Sequence, residues 1–96
     1  MYAKRIDANQ NSIVKALRAK GATVRVVSQG DGLPDLLVGY KGETALLEVK
    51  DGDKPPSART LTTAEEKFFT EWTGGMLVIV NSVQEALDVL NKIDTM

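Results

Sequence analysis

The chain has 96 residues, 43% of them hydrophobic, which suffices for one small globular domain with a core of mainly Val, Leu, Ile and Ala. Lys and Arg total 12 against 13 Asp and Glu, so the formal charge of −1 gives no global sign of nucleic-acid binding, and any such affinity must be local. Cysteine and histidine are absent, which excludes disulfides, thiolate or imidazole zinc sites and histidine-dependent catalytic triads. Chemistry here must therefore use carboxylates, lysine and metal.

The sequence also bounds the domain organisation and the cellular location. It contains no internal repeat, no low-complexity segment and no linker, which predicts a single domain over residues 1–96. No apolar run approaches the roughly 20 residues of a membrane span, and no signal peptide is visible. We therefore expect no membrane association and an intracellular protein, either cytoplasmic or nucleoid-associated.

The first predicted element is a helix over residues 8–20. Asp7 can cap its start, and Gly21 suits the position after its end. Its apolar residues share one stripe at helical spacing: Ile13, Val14 and Leu17. The alternating segment 22–28 then predicts a strand, which the polar and glycine residues 30–32 end.

A β-hairpin is predicted next, because the apolar runs 36–40 and 44–49 are joined by Lys41-Gly42, a turn of hairpin length. If those two residues form the loop, Tyr40 pairs with Glu43, which fixes the register of the whole hairpin. Side chains at alternate positions of a strand point to the same face of a sheet. The register therefore decides which polar residues meet.

Asp35, Glu48 and Lys50 meet in this register. Asp35 lies opposite Glu48 with Cβ atoms about 4.5–5.5 Å apart, and Lys50 lies on the same face. Opposed carboxylates repel unless a positive charge lies between them, and Mg²⁺ or Mn²⁺ prefers such ligands. Lys50 would then serve as a point charge for a phosphate or an activated water. The alternative is an exposed hairpin whose acids and lysine are merely solvated.

The second half of the chain alternates between helix and strand. Residues 51–62 form a polar, proline-containing loop that we expect to be irregular and to face DNA. A capping-box pattern at Thr62 opens a second helix, in which Phe68, Phe69 and Trp72 predict core or dimer contacts rather than base stacking. The apolar run 76–80 predicts a buried strand, and Ser82 caps a last helix.

The predicted fold class is α/β, with a mixed sheet flanked by helices in the order αβββαβα. This order, with Pro-Asp on the second strand and Glu-x-Lys on the third, resembles the PD-(D/E)XK nuclease superfamily, and more narrowly the stand-alone virus-type replication-repair nuclease (VRR-NUC) domain. The resemblance predicts a restriction-endonuclease-like αβββαβ core with a C-terminal helix. The matching stretches span nearly the whole chain: 7–10 with 13–14, 32–39, 46–52, 54–58 and 61–62.

The resemblance implies Mg²⁺- or Mn²⁺-dependent hydrolysis of DNA phosphodiesters. Asp35 and Glu48 would be metal ligands with the Val49 main-chain carbonyl as a third, and Lys50 would position or activate the attacking water. It also implies a homodimer similar to Holliday-junction resolvases, acting on branched or junction DNA. Contacts to DNA are expected from four residues beyond Lys50: Lys54, Ser57, Arg59 and Lys67.

The chain departs from the family pattern in both predicted helices. The first helix commonly offers an acid that supports the metal site, but the aligned position here carries Ser12, so Ser12 or Gln10 would contribute a neutral ligand through water. The second helix often carries Gln where this chain has Glu66, which we expect to supply the missing negative charge.

These departures leave three functions open. The first is a structure-selective DNA endonuclease, which two acids and a lysine on one face favour. The second is a catalytically weak or inactive relative that binds branched DNA, which Ser12 favours. The third is an accessory interaction module of a replication or repair assembly.

Overall fold

The computed structural model describes residues 8–96. The elements follow the order α1 (Ala8–Ala19), β1 (Thr23–Val26), β2 (Leu36–Tyr40), β3 (Glu43–Val49), a short 3-10 helix (Pro56–Ala58), α2 (Thr63–Glu71), β4 (Met76–Val80) and α3 (Val83–Asp94). The fold is α/β with a four-stranded mixed sheet and three helices in this part of the chain, compatible with the predicted αβββαβ core. The predicted cap Asp7 lies outside the described residues.

The sheet has the strand order β1-β2-β3-β4. The first three strands are antiparallel, and β4 runs parallel to β3. Both loop residues of the β2–β3 hairpin have positive φ, 49° at Lys41 and 82° at Gly42, as the tightest hairpin turns require. Tyr40 pairs with Glu43 and Leu36 with Leu47, which confirms the predicted register.

One face of the sheet, the core face, is sealed by α1 and α3. Leu36 of β2 and Leu47 of β3 are fully buried there, against Leu17 of α1 and Leu90 of α3. Residues between these positions point to the opposite face, which we call the site face because Glu48 lies on it. Burial of so many aliphatic side chains on one side, at about 25 cal/mol per Å² of apolar surface, makes the core face the main source of stability.

The site face is covered only in part. α2 lies over one end of it and contributes no buried residue, and Leu37 in the middle of β2 remains 40% exposed. Phe68 and Trp72 stack on each other with ring centroids 5.4 Å apart, and Trp72 remains 39% exposed. The core alternative for these aromatic residues is therefore wrong, because α2 lies over the site face and buries none of its residues. The alternative of a dimer contact stays a prediction.

β4 also differs from its prediction as a buried strand. Only Val80 is buried, and the other four residues are half-buried. The continuous apolar run predicts a strand covered on both faces, but β4 is an edge strand, paired within residues 8–96 with β3 alone. Its position in the sheet order, which the run itself does not encode, explains the difference.

Local signals at the helix ends are largely confirmed. Thr62 Oγ1 accepts from the backbone N–H of Glu65, and the Glu65 carboxylate accepts from Thr62 N–H, completing the predicted capping box. Ser82 caps α3 as predicted, whereas the Glu85 carboxylate accepts from Asn81 N–H instead. The loop expected to be irregular contains the 3-10 helix Pro56–Ala58. Among residues 8–96, no helix has both the length and the apolar character needed to cross a membrane.

Candidate active site

Asp35, Glu48 and Lys50 come together at one end of the β2–β3 hairpin. Asp35 directly precedes β2, and Lys50 directly follows β3. Lys50 Nζ lies 3.6 Å from Glu48 Oε2, and Val49 N–H donates to Asp35 Oδ2 at 2.8 Å. The tight Lys41-Gly42 turn sets the register that brings these residues together.

Asp35 is held in place through both of its carboxylate oxygens. Ser28 Oγ donates to Oδ1 at 2.5 Å, and the backbone N–H of Val49 donates to Oδ2 at 2.8 Å. These two bonds fix the orientation of the Asp35 side chain. Its remaining lone pairs stay available to a further ligand.

Glu48 is in a less satisfied environment. Its side chain is 3% exposed, and its Oε1 atom is buried without a hydrogen-bond partner. Burial, followed by the charge of Asp35, raises the pKa of Glu48 to about 9, and the attraction of Lys50 does not offset these effects. This environment favours the protonated form of Glu48, which weakens its electrostatic attraction to Lys50.

The ionic partner of Lys50 is Glu65. Lys50 Nζ lies 2.8 Å from Glu65 Oε1, and the same oxygen accepts from Thr62 N–H at 2.9 Å. Burial opposes the charge on Lys50, but the hydrogen bond to Glu65 and the nearby carboxylates outweigh it and raise the lysine pKa. Although burial raises the pKa of Glu65, its bonds to Lys50 and Thr62 lower it overall. The hydrogen bond from Lys50 to Glu65 therefore connects the first turn of α2 to the site.

A cleft of about 360 Å³ opens beside Asp35 and Glu65. One wall is the loop before β2, in which Gly32 has φ +79°. A Cβ atom added at Gly32 would lie 2.1 Å from the carbonyl oxygen of Ala64 in α2. Only glycine permits this approach. Gly32 therefore allows the loop and α2 to pack closely beside Asp35 and Glu65.

A divalent cation at this site would need several oxygen donors. No group of three or more Asp, Glu, His or Cys side chains within residues 8–96 is arranged to hold a metal ion. Two carboxylates with substrate phosphate and water are nevertheless a usual Mg²⁺ set, and the buried Glu48 Oε1 lacks any protein partner. Asp35 and Glu48 therefore fit a divalent cation as a two-carboxylate site, to which the Val49 carbonyl is a predicted third donor.

The residues predicted to support the metal are placed differently from one another. Gln10 is buried on α1 and Ser12 is exposed on the same helix, and their water-mediated role remains a prediction. Glu66 is exposed on α2, and the neighbouring Glu65 is the acid that contacts Lys50. Successive helix positions point about 100° apart, so Glu66 points away from Lys50 when Glu65 contacts it, and the supporting role of Glu66 stays a prediction.

Among the predicted DNA contacts, Lys54, Ser57 and Lys67 are exposed, as that role requires. Arg59 is not on the open surface. It is half-buried in a second cleft beside Asn9 and Asn81, and its Nε atom is buried without a hydrogen-bond partner. The four residues therefore do not form one uniform contact surface.

Three residues were not predicted to act at the site. Ser28 holds Asp35, Glu65 holds Lys50, and Asn9 Nδ2 donates to the Lys50 carbonyl at 2.7 Å. Glu65 had a signal, since the Thr62-x-x-Glu65 spacing identifies a capping box, but that pattern says nothing of a second partner. Ser28 and Asn9 carry no such local pattern.

No protein-family model matches the chain, and no curated protein sequence matches it significantly. The resemblance to PD-(D/E)XK nucleases therefore remains a prediction from the sequence motifs and their order.

Proposed function

We propose that this protein is a metal-dependent, structure-selective DNA endonuclease with a restriction-endonuclease-like fold of the VRR-NUC type. The observation that carries the proposal is the convergence of Asp35, Glu48 and Lys50 on one side of the hairpin. The buried Glu48 Oε1 without a partner is the atom that a cation would satisfy. A purely structural site gains nothing from opposing two carboxylates.

Asp35 and Glu48, with the Val49 carbonyl, would hold Mg²⁺ or Mn²⁺. When bound, the ion supplies Lewis-acid polarisation of the phosphoryl oxygen and lowers the pKa of a water. Lys50 contributes a fixed positive charge that orients the attacking water or a phosphate oxygen. No histidine base is required, which agrees with a sequence that has none.

The surrounding residues keep these groups in position. Ser28 and the Val49 N–H fix the Asp35 carboxylate, and Glu65 keeps Lys50 protonated and directed toward the site. Fixed orientation of this kind is how a protein reduces the reorganisation needed during reaction. Glu65 thus acts through Lys50 as a positioning residue.

The proposed substrate is branched or junction DNA, bound by a homodimer. Its support is the resemblance, together with the exposure of Lys54 and Lys67 in a chain of nearly neutral net charge. Exposed lysines can bind the phosphate backbone without a global excess of positive charge.

A second candidate is a catalytically weak or inactive module that binds branched DNA or joins a repair assembly. Two observations favour it. Both Asp35 oxygens already accept protein hydrogen bonds, and Lys50 is already paired with Glu65. A site closed in this way would bind DNA in a salt-dependent manner without cutting it.

Cleavage of labelled DNA separates the two candidates. Four-way junction, flap, nicked and duplex substrates are incubated with Mg²⁺ or Mn²⁺ and either wild type, Lys50→Ala or the exposed control Lys15→Ala. We expect cleavage of branched substrates that falls at least about 100-fold in Lys50→Ala and persists in Lys15→Ala. If folded wild type binds junctions but cleaves none with either metal, the endonuclease proposal fails and the binding module is the remaining candidate.

A further inference from the structure

Among residues 8–96, β4 pairs only with β3, so its other edge has an identifiable set of backbone groups without a partner in this part of the chain. Lys50 N–H donates to the Val80 carbonyl at 2.9 Å, so the backbone groups of Val80 face β3. In a parallel ladder, the direction of the backbone N–H and C=O groups alternates from one residue to the next. The backbone groups of Val78 and Met76 therefore also face β3. The N–H and C=O groups of Leu77 and Ile79 therefore point away from the sheet.

Within residues 8–96, this edge lacks the usual protection against pairing. Edge strands are normally blunted by lysine, proline, a bulge or a covering element. β4 has the sequence Met-Leu-Val-Ile-Val, with no charge and no proline, and four of its residues are half-buried. An apolar groove of about 340 Å³ lies beside it, between β4 and α3. An unprotected strand edge beside an apolar groove can pair with a strand from another chain.

The charges on the helix side of the groove favour a second copy of this chain as the occupant. Glu85, Asp88 and Lys92 of α3 all line the groove, and their spacing places them along one side of the helix. The two acids lie toward the start of α3 and the lysine toward its end. An antiparallel copy would place each Lys92 opposite the acidic half of the other helix.

The strand and the helix can share one two-fold axis. The middle of β4, at Val78, lies two residues from the strand end, or roughly 7 Å along the strand. The midpoint between Glu85 and Lys92 lies roughly 8 Å along α3 from its start at Val83. Since β4 connects to α3 through only two residues, these midpoints are at nearly the same level.

We propose that two copies of the chain pair antiparallel along β4, about a two-fold axis at Val78. Leu77 of one copy and Ile79 of the other exchange backbone hydrogen bonds, as the outward orientation of these groups permits. The two sheets become one continuous sheet, and the two α3 helices lie antiparallel on its core face. Lys92 of each copy then faces Glu85 and Asp88 of the other.

One consequence rests on the proposed function. A two-fold axis perpendicular to the sheet leaves both site faces on the same side of the dimer, so two clefts would face one branched substrate. The pairing itself does not depend on nuclease activity and is tested without it.

Sedimentation velocity between about 1 and 200 µM tests the pairing. We expect wild type to form a reversible dimer and Leu77→Pro, which removes an outward donor, to remain a monomer with a nearly unchanged melting temperature at the lowest concentration. The matched variant Val78→Pro removes a donor that faces β3 and should destabilise the monomer itself. Wild type that stays monomeric, or folded Leu77→Pro that still dimerises, would overturn the proposal.

Charge exchange tests the predicted orientation. Lys92→Glu and Asp88→Lys should each raise the dimer dissociation constant by about tenfold, while the exposed control Lys15→Glu leaves it unchanged. An equimolar mixture of Lys92→Glu and Asp88→Lys should recover a heterodimer of about wild-type affinity. A mixture no tighter than either variant alone would exclude the antiparallel α3 contact.

Hydrogen exchange distinguishes a second copy from other occupants of the edge. The amides of Leu77 and Ile79 should become protected as the protein concentration rises through the dimer dissociation constant. Equal protection in the dilute monomer would mean that a segment of the same chain covers β4, which would overturn the proposal.

Discussion

The two faces of β3 show how one strand serves stability and chemistry at once. Leu47 and Val49 point to the core face, where they are buried with α1 and α3, and Glu48 between them points to the site face. The core face has apolar contacts on every side, whereas the site face holds a buried carboxyl group with an unsatisfied oxygen beside a second acid. The core face thus provides the stability that offsets the unfavourable environment of Glu48.

The largest expected effect comes from the core face. Leu47→Ala removes a fully buried side chain and should lower the free energy of unfolding by about 2–5 kcal/mol. Leu37→Ala, on the 40% exposed position of the site face, should lower it by less than about 1 kcal/mol. Urea unfolding of both variants measures the difference, and equal losses would mean that the two faces contribute alike.

The glycine loop beside the site should show the next largest effect. Gly32→Ala combines a positive φ with a Cβ placed 2.1 Å from Ala64 O, so we expect a loss of about 2–3 kcal/mol and displacement of α2 from Lys50. Gly30 has a similar φ of +82° but open space around it. Gly30→Ala should therefore cost only about 1 kcal/mol, and an equal cost in both variants would remove the steric explanation.

Glu48 should make stability depend on pH in a defined direction. Its pKa is about 9 in the folded protein against an ordinary 4.5, so its favourable contribution is complete below pH 4.5 and is lost as the pH rises toward 9. Without added metal, Glu48→Gln should exceed wild type at pH 8 by about 1–2 kcal/mol, or roughly 4–16 °C in melting temperature, and match it near pH 4.5. The exposed control Glu43→Gln, at the start of β3, should have the stability of wild type at both pH values. A Glu48→Gln variant less stable than wild type at pH 8 would contradict the account that burial of the ionised Glu48 carboxylate destabilises the fold.

The smallest effect is expected at Glu65. Glu65→Gln can still accept from Thr62 N–H and should change stability by less than about 0.5 kcal/mol, while Glu65→Ala loses both the cap and the contact with Lys50 and should lose about 1 kcal/mol. Thermal melts compare the two variants. Identical losses would show that the cap contributes nothing beyond the Lys50 contact.

The features that the sequence predicts correctly are those encoded over a few residues. The Lys41-Gly42 turn determines the hairpin register, and with it the approach of Asp35 to Glu48. The capping box at Thr62 and the N-cap Ser82 locate the starts of α2 and α3 within one residue. In each case the signal and the hydrogen bond it predicts lie within a few positions along the chain.

Long-range packing accounts for the predictions that were wrong. Nothing in the run Met76–Val80 distinguishes an edge strand from a central one, and the aromatic stripe of α2 does not reveal which face of the sheet it meets. The contact of Glu65 with Lys50, which the sequence does not predict, depends on the rotation of α2 against β3. Ser28 reaches Asp35 because a loop with three consecutive positive φ values, at residues 30–32, folds back toward β2.

The most direct test of the central claim is Mn²⁺ binding by isothermal titration calorimetry at pH 8. If the two carboxylates of the site face hold a divalent cation, wild type and Glu43→Gln should bind one ion per chain with similar affinity, and Glu48→Gln should bind at least about tenfold more weakly. Equal binding by Glu48→Gln, or no binding by folded wild type, would contradict the assignment.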